Sequence, residues 1–323
     1  MRGRLGARLL LGIASTGVMI GLLAALLARI EPQEALRALT AVQLRGLPLL
    51  GVALAANHAL RIFRLGALLG PETPVRGLVL TSLVGFVAIT LLPLRLGELA
   101  RPALLAREGV PLYRTVAALV VERLLDLILL LLLLGWVGLA MPLGTSWVVD
   151  GVDLVVVGQR TVATVALIAL IALIGVGLLG TSVRRLPGIG PPLAQLAHAI
   201  RELIRAPLRG LGAIGFTVAL WASNVGYVQA GLWCFEGLPA TVSGATLTFV
   251  AIITGVTVLP TPGFLGSYEA SAVVGLSSLG ADPATAAAFG LSLHLAYTVF
   301  TVAVGLPALI ALGASLSDLW DAT

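Results

Sequence analysis

Residues 91–126, LLPLRLGELARPALLAREGVPLYRTVAALVVERLLD, decide how this chain is read. Pro93, Arg95, Gly97, Glu98 and Arg101 close one apolar run, and Glu122, Arg123 and Asp126 sit inside the next. An ionisable side chain at the centre of a bilayer costs roughly 3 kcal/mol unless it is paired or faces water. The six charges Arg95, Glu98, Arg101, Glu122, Arg123 and Asp126 therefore mark the place where function is expected.

The rest of the sequence makes those charges stand out. It is 59% hydrophobic and 11% charged over 323 residues, with a mean hydropathy of +1.07. That leaves too little polar surface for a soluble domain and specifies a polytopic membrane protein. At roughly 20 apolar residues per helical span, about six to nine membrane segments fit. All 20 basic residues are arginine, which excludes lysine Schiff-base and lysine-nucleophile chemistry. The net charge of +5 reads as membrane topology, since no basic patch interleaved with exposed aromatics suggests nucleic acid. A single cysteine, Cys234, excludes an intrachain disulfide and a multi-cysteine metal site.

The loops order the spans. Arg2, Arg4 and Arg8 precede the apolar run Leu9 to Leu27, which is too long for a signal-peptide core and reads as an uncleaved first span with its N-terminus in the cytoplasm. A second span begins near Gly46, carries Asn57, His58, Arg61 and Arg64 in its latter half, and ends at Gly70-Pro71. If Gly77 to Leu94 crossed fully, Arg95, Arg101, Arg107 and Arg114 would lie outside, against the positive-inside rule. This segment is therefore expected to be re-entrant, turning at Leu92-Pro93. Thr115 to Leu143 and Thr161 to Gly180 follow as spans, then a helix over about 192–207 lying on the inner leaflet, then a span from Leu211 to Phe235 with Trp221, Asn224 and Tyr227 on one side.

Thr241 to Leu259 and Ser267 to Leu279 flank the break PTPGFLG and read as a second hairpin, entered from outside, before the last run Ala284 to Leu312. Leu259-Pro260 followed by Gly263, Gly266 and Glu269 resembles Leu92-Pro93 followed by Gly97 and Glu98. Such breaks in corresponding halves point to an inverted-repeat transporter with its site near the midplane. The expectation is an all-α membrane protein of about six full spans and two broken hairpins. It forms one membrane domain, with a first half over about 1–180 and a second over about 208–312.

Glu122 and Asp126 share a helix face about 6 Å apart, with Arg123 a third of a turn away. They read either as a buried ion network with Arg95 or Arg101, or as counter-charges for a moving head group or a proton. Glu98 and Arg101, three apart, are expected to pair, and a guanidinium near a helix start suits a phosphodiester. Asn57, Arg61 and Arg64 fall on one face and offer a second phosphate contact, with snorkelling to the interface as the plainer reading. Glu269 is a carboxylate for a cationic group or a proton, and His294 with Tyr297 reads as a hydrogen-bonded core pair. Gly210, Gly212 and Gly215 spell G-x-G-x-x-G, but no strand precedes them and a membrane helix follows, so the dinucleotide reading fails.

The order Pro93-x-Arg95-x-Gly97-Glu98-x-x-Arg101, Glu122-Arg123-x-x-Asp126, Pro260-Thr-Pro262-Gly263-x-x-Gly266-x-x-Glu269 resembles the flippase-like membrane domain of the lysylphosphatidylglycerol synthases, over about 45–312. The resemblance implies movement of a modified or anionic lipid between leaflets. In bifunctional members of that family an aminoacyltransferase domain follows. Here the chain runs to Thr323, and the aminoacylation activity is not expected of it.

The first expectation is thus a flippase of the inner membrane for a phospholipid or polyprenyl phosphate, with no cofactor and no metal. Its substrate-contacting residues are Arg95, Glu98, Arg101, Glu122, Arg123, Asp126, Glu269, Arg61 and Asn57. No nucleotide-binding motif is present, so transport is downhill or proton-coupled. The rivals are an intramembrane transferase using Asp150 and Asp153 of Asp-Gly-Val-Asp to hold a divalent metal, and a non-catalytic partner of a separately encoded lipid-modifying enzyme.

Overall fold

The computed structural model describes residues 42–91, 97–140 and 190–313 continuously, with isolated positions between 17 and 40 and between 148 and 175. Leu9 to Leu27, the Leu92-Pro93 break with Arg95, Asp150, and most of Thr161 to Gly180 lie outside the described residues. The first half opens with α1 (Leu47–Leu69), α2 (Val75–Leu91), α3 (Gly97–Arg107) and α4 (Leu112–Ala140). Strands β1 (Val148–Val149) and β2 (Val152–Asp153) follow, then α5 (Gly190–Ile204). The second half is α6 (Pro207–Leu232), α7 (Val242–Val258), α8 (Ser267–Ser277) and α9 (Pro283–Ala311).

Among the described residues the chain is all-helical apart from one pair of two-residue strands. Val148 pairs with Asp153 and Val149 with Val152, antiparallel. Asp153 is the second residue of β2, and the expected metal pairing of Asp150 with Asp153 falls partly outside the described residues.

Local chemistry sets the helix bounds. Proline stands in the first turn of α1, α6 and α9, where its missing N–H costs nothing. Thr241 caps α7 by accepting from the Gly244 N–H at 3.0 Å, and Asp282 caps α9 by accepting from the Thr285 N–H at 2.8 Å. Leu259, just before Pro260, is extended and ends α7. α4 begins at Leu112, one turn earlier than expected, which sets Glu122 about 15 Å along it.

Four helices in each half follow the same series. α1 to α4 have 23, 17, 11 and 29 residues, and α6 to α9 have 26, 17, 11 and 29. Three of them, α1, α6 and α9, are long and apolar enough to cross a membrane. α4 is long enough but carries Glu122, Arg123 and Asp126. At 17 residues α2 and α7 rise only about 25 Å, short of a bilayer's hydrocarbon thickness.

Glycines reveal how these segments pair. A Cβ on Gly77 would meet Glu108 at 2.8 Å, one on Gly85 would meet Arg101 Cγ at 2.8 Å, and one on Gly97 would fall on the backbone of Ala88 and Ile89. Residue numbers rise along α2 as their partners fall along α3, so the two form an antiparallel hairpin. In the second half Gly255 faces Ser271 and Gly275 faces Ala251, which makes α7 and α8 the same kind of hairpin. The absence of side chains at these points lets the backbones close up, the usual device for packing helices in lipid.

α1 and α6 also run antiparallel. Gly46 lies against Cys234, Asn57 against Asn224, and Gly70 against Arg209. The first described long helix of each half, α1 or α6, therefore runs opposite to its counterpart. The turn after α7 meets the end of α2, since a Cβ on Gly263 would lie 3.4 Å from the Thr90 carbonyl oxygen. The largest apolar core joins α6 to α9 with parts of α1 and α4, and includes Leu247, Ala272 and Phe289. A smaller one joins α1 to α4 around Leu65 and Leu105. The apolar face of α5, with Ala197, Ala199 and Ile200, rests on Ala117 of α4.

Candidate functional site

Six charges on α1, α3 and α4 form an alternating chain. Arg101 Nη1 donates to Glu122 Oε2 at 3.3 Å, and Glu122 Oε1 accepts from Arg64 Nε at 3.0 Å. Arg64 then grips Asp126 with both terminal nitrogens, at 2.6 and 3.3 Å. Asp126 also pairs with Arg123 at 3.0 Å, and Arg123 with Glu98 at 3.7 Å. Arg64 is 2% exposed and Glu122 is fully buried, so each depends on its neighbours for compensation. Trp221 on α6 donates its indole N–H to Asp126 at 3.0 Å and ties the chain to the second half.

Two expectations are corrected here. Glu98 and Arg101 do not pair with each other: α3 turns Arg101 inward to Glu122, while Glu98 in the first turn reaches Arg123. Arg64 neither snorkels nor offers a free phosphate contact, because two carboxylates hold its guanidinium. Its spacing of seven from Asn57 was visible in the sequence, but its partners, 58 and 62 residues away, were not.

The second half carries a smaller polar pair. Glu269, in the first turn of α8, accepts the Gly266 N–H on one oxygen at 2.7 Å. Its other oxygen lies 2.7 Å from Nδ1 of His294 on α9, and both side chains are buried. Gly290, one turn before His294, lets α9 come close here, since a Cβ would meet the Glu269 Cα at 3.3 Å. The Tyr268 ring stacks on the imidazole with centroids 4.6 Å apart. The core pair expected between His294 and Tyr297 is thus replaced by His294 with Glu269. Residues one turn apart on a helix project side by side, whereas α8 brings a carboxylate directly onto the ring.

Two adjoining cavities lie between the halves. One, of about 140 Å³, is lined by Arg61, Glu98, Arg101, Arg123, Tyr268 and His294 among others. The other, of about 330 Å³, is lined by Arg61, Arg64, Arg123 and Asp126, with Leu127, Leu130, Leu220 and Thr257 on its apolar side. Arg61, Arg123, Asn224, Phe249 and Ile253 border both. Arg123 is the twelfth residue of 29 in α4 and His294 the twelfth of 29 in α9, so the cavities lie near the middle of both helices.

Arg61 differs from the other arginines of the site. Among the described residues no carboxylate lies within ion-pair distance of it, and its buried Nε has no hydrogen-bond partner. Its guanidinium stands 5.7 Å from the Phe86 ring centroid, with Arg101 at 5.1 Å from the same ring. The Arg101 Nε is likewise buried without a partner.

Of the expected contact residues, Arg61, Glu98, Arg101, Arg123 and Asp126 line the cavities, and Arg95 lies outside the described residues. Glu122 and Glu269 sit behind that lining. Asn57 is sealed between α1 and α6, donating to Asn224 at 2.7 Å and Ser223 at 3.1 Å, so helix packing rather than ligand contact occupies it. The sequence reading missed Arg64 as the hub, along with the parts played by Trp221, Tyr268 and His294. The three-residue spacing of Trp221, Asn224 and Tyr227 was the one signal for α6, and all three are buried facing the site.

The family described as lysylphosphatidylglycerol synthase TM region matches residues 9–305 of the chain. No curated protein matches it significantly.

Proposed function

The chain belongs to the lysylphosphatidylglycerol synthase transmembrane-region family, whose function concerns membrane lipid, and on that premise we propose that it is a flippase for a phosphate-bearing lipid. The observation that carries the reading is Arg61. In a wall where every other guanidinium has a carboxylate, Arg61 borders both cavities with none, so the site holds an exposed positive charge mid-way along the long helices. A guanidinium fork matches two phosphate oxygens, and the unpartnered Nε of Arg101 offers another donor nearby. The apolar side lined by Leu127, Leu130 and Leu220 suits the first carbons of an acyl chain while the head group crosses.

In this reading the two halves are inverted repeats of one membrane domain in the inner membrane, with the N-terminus in the cytoplasm and the hairpins entered from opposite sides. Its support is the matched series of helix lengths and the antiparallel course of α1 and α6. Broken hairpins meeting near the midplane are how such repeats build a site. A separately encoded lipid-modifying enzyme is the natural supplier of the cargo.

The test is a reconstitution. Fluorescent phosphatidylglycerol in proteoliposomes becomes accessible to an external quencher as it changes leaflet. Wild type should speed that movement, and Arg61→Gln should slow it at least tenfold while unfolding at the wild-type temperature. Purified protein that moves no phosphate-bearing lipid would return the chain to the transferase reading.

A further inference from the structure

In the alternating chain every cation is an arginine, whose charge is fixed at any accessible pH. The second half has a titratable base at the corresponding place. Arg123 is residue twelve of α4 and reaches Glu98 at the start of α3, and His294 is residue twelve of α9 and reaches Glu269 at the start of α8. One half presents a permanent cation to the cavity and the other a cation that exists only when protonated.

The geometry defines where the proton goes. Glu269 accepts from the Gly266 N–H and faces Nδ1, so Nδ1 carries hydrogen and donates to the carboxylate. Nε2 then holds the free lone pair. It has no hydrogen-bond partner among the described residues, and the ring lines the smaller cavity. A proton arriving through cavity water adds to Nε2, and the imidazolium is held by the carboxylate behind it.

The charges around this dyad fix what that proton does. Among the described residues the four site guanidiniums, Arg61, Arg64, Arg101 and Arg123, are matched in number by the carboxylates Glu98, Glu122, Asp126 and Glu269. From α8, α6 and α9 itself the dyad is faced by the phenols of Tyr268, Tyr227 and Tyr297, and phenols ordinarily titrate near 10. α2 and α7 line the cavity with uncharged residues such as Thr90 and Phe249. His58 is spent elsewhere, with its nitrogens on the Leu54 carbonyl at 2.9 Å and the Thr301 hydroxyl at 3.1 Å. His294 is therefore, among the described residues, the cavity-lining base with a free nitrogen to take a proton.

We propose that the His294–Glu269 dyad is a proton-binding site and that one proton is taken up with each phosphodiester head group, an inference that rests on the flippase reading. A site whose described charges sum to zero accepts one monovalent anion at least cost when one proton comes with it. By linkage the bound phosphate tightens proton binding by the same factor that the proton tightens phosphate binding. The translocated complex adds no net charge to the site, so movement is driven by a pH gradient and is insensitive to membrane potential.

Two measurements test this. In proteoliposomes, fluorescent phosphatidylglycerol should redistribute toward the alkaline side by about tenfold per pH unit at one proton per lipid. Clamping the potential with potassium and valinomycin should not change that ratio. His294→Gln should bring it to one, whereas His58→Gln should keep the response. If wild type moves lipid equally with and without the gradient, proton coupling is wrong and the flippase reading stands.

The second measurement needs no transport. Calorimetric titration of the detergent-solubilised protein with short-chain phosphatidylglycerol, in two buffers of different ionisation enthalpy, counts protons bound per lipid. Wild type should take up protons, up to about one per lipid, and His294→Gln or Glu269→Gln should take up none. Binding without proton uptake at any pH between 5 and 8 overturns the proposal, and no binding together with no transport overturns both readings. Proton uptake with soluble glycerophosphoglycerol but not with the lipid would overturn the lipid assignment.

Discussion

The two halves use the same scaffold to hold charge in different ways. In the first, Arg101, Glu122, Arg64, Asp126, Arg123 and Glu98 share partners in sequence, and the centre of that chain is closed to water. In the second, a single carboxylate meets a single imidazole between Tyr268 and the cavity. An arginine cannot lose its proton when a partner is removed, while a histidine can. The first half is therefore committed to its charges and the second is adjustable, although the hairpin helices, and α4 and α9, match in length.

The sharpest way to break the comparison is to ask whether the halves are inverted. In a Cys234→Ser background, Arg107→Cys at the end of α3 and Ser278→Cys after α8 should react with an impermeant thiol reagent from opposite sides of intact cells. Complete labelling of Ser278→Cys and none of Arg107→Cys is expected. Labelling of both from outside would put the hairpins on one side and end the inverted-repeat reading.

Next in size is the cost of removing a carboxylate. Glu122→Gln strands Arg101 in a buried site and takes one of the two carboxylates from Arg64, and should lower stability by about 3–5 kcal/mol, measured by unfolding in detergent. Glu269→Gln should cost only about 1 kcal/mol, since His294 can become neutral and keep a hydrogen bond. Equal losses would mean that the two halves are committed alike.

The hairpins should differ as well. Gly97→Ala sets a methyl group on the backbone of Ala88 and Ile89, which can yield only by separating α2 from α3, at a cost of about 1–3 kcal/mol. Gly255→Ala meets the Ser271 hydroxyl, which can rotate, and its Cβ at 2.9 Å, which asks a smaller backbone shift, so the loss should be about 1 kcal/mol. Thermal midpoints in the same detergent would rank the two.

The smallest effect separates charge from geometry. Arg101→Lys keeps a cation beside Glu122 but loses the planar fork and its Nε donor. Stability should be little changed, while lipid movement falls about tenfold, equivalent to about 1.4 kcal/mol of transition-state binding. An unchanged rate would make Arg101 a counter-ion for Glu122 and no more.

Much of this was legible in the sequence because it is local. Apolar run lengths, the proline at the first turn of α6 and α9, and the Leu259-Pro260 break placed most described helices within a few residues. The charges of Leu91 to Asp126 identified the site region, since burying that many ionisable groups without purpose is costly. Asn57 misled because position on a helix face says nothing of what the face meets, and here it meets Asn224.

By itself the sequence determined a helical membrane protein with paired proline-glycine breaks and an arginine- and carboxylate-rich centre, because hydropathy, helix period and backbone restriction act within a few residues of each other. The tertiary structure alone decided which charges are spent and which are free. Arg64 and Arg61 are three residues apart on one helix, yet Arg64 is locked by Glu122 and Asp126 while Arg61 faces the cavities without a carboxylate. A guanidinium becomes a strut or a ligand according to what other helices bring within about 4 Å, and Coulomb attraction in a site of low dielectric makes that distance decisive.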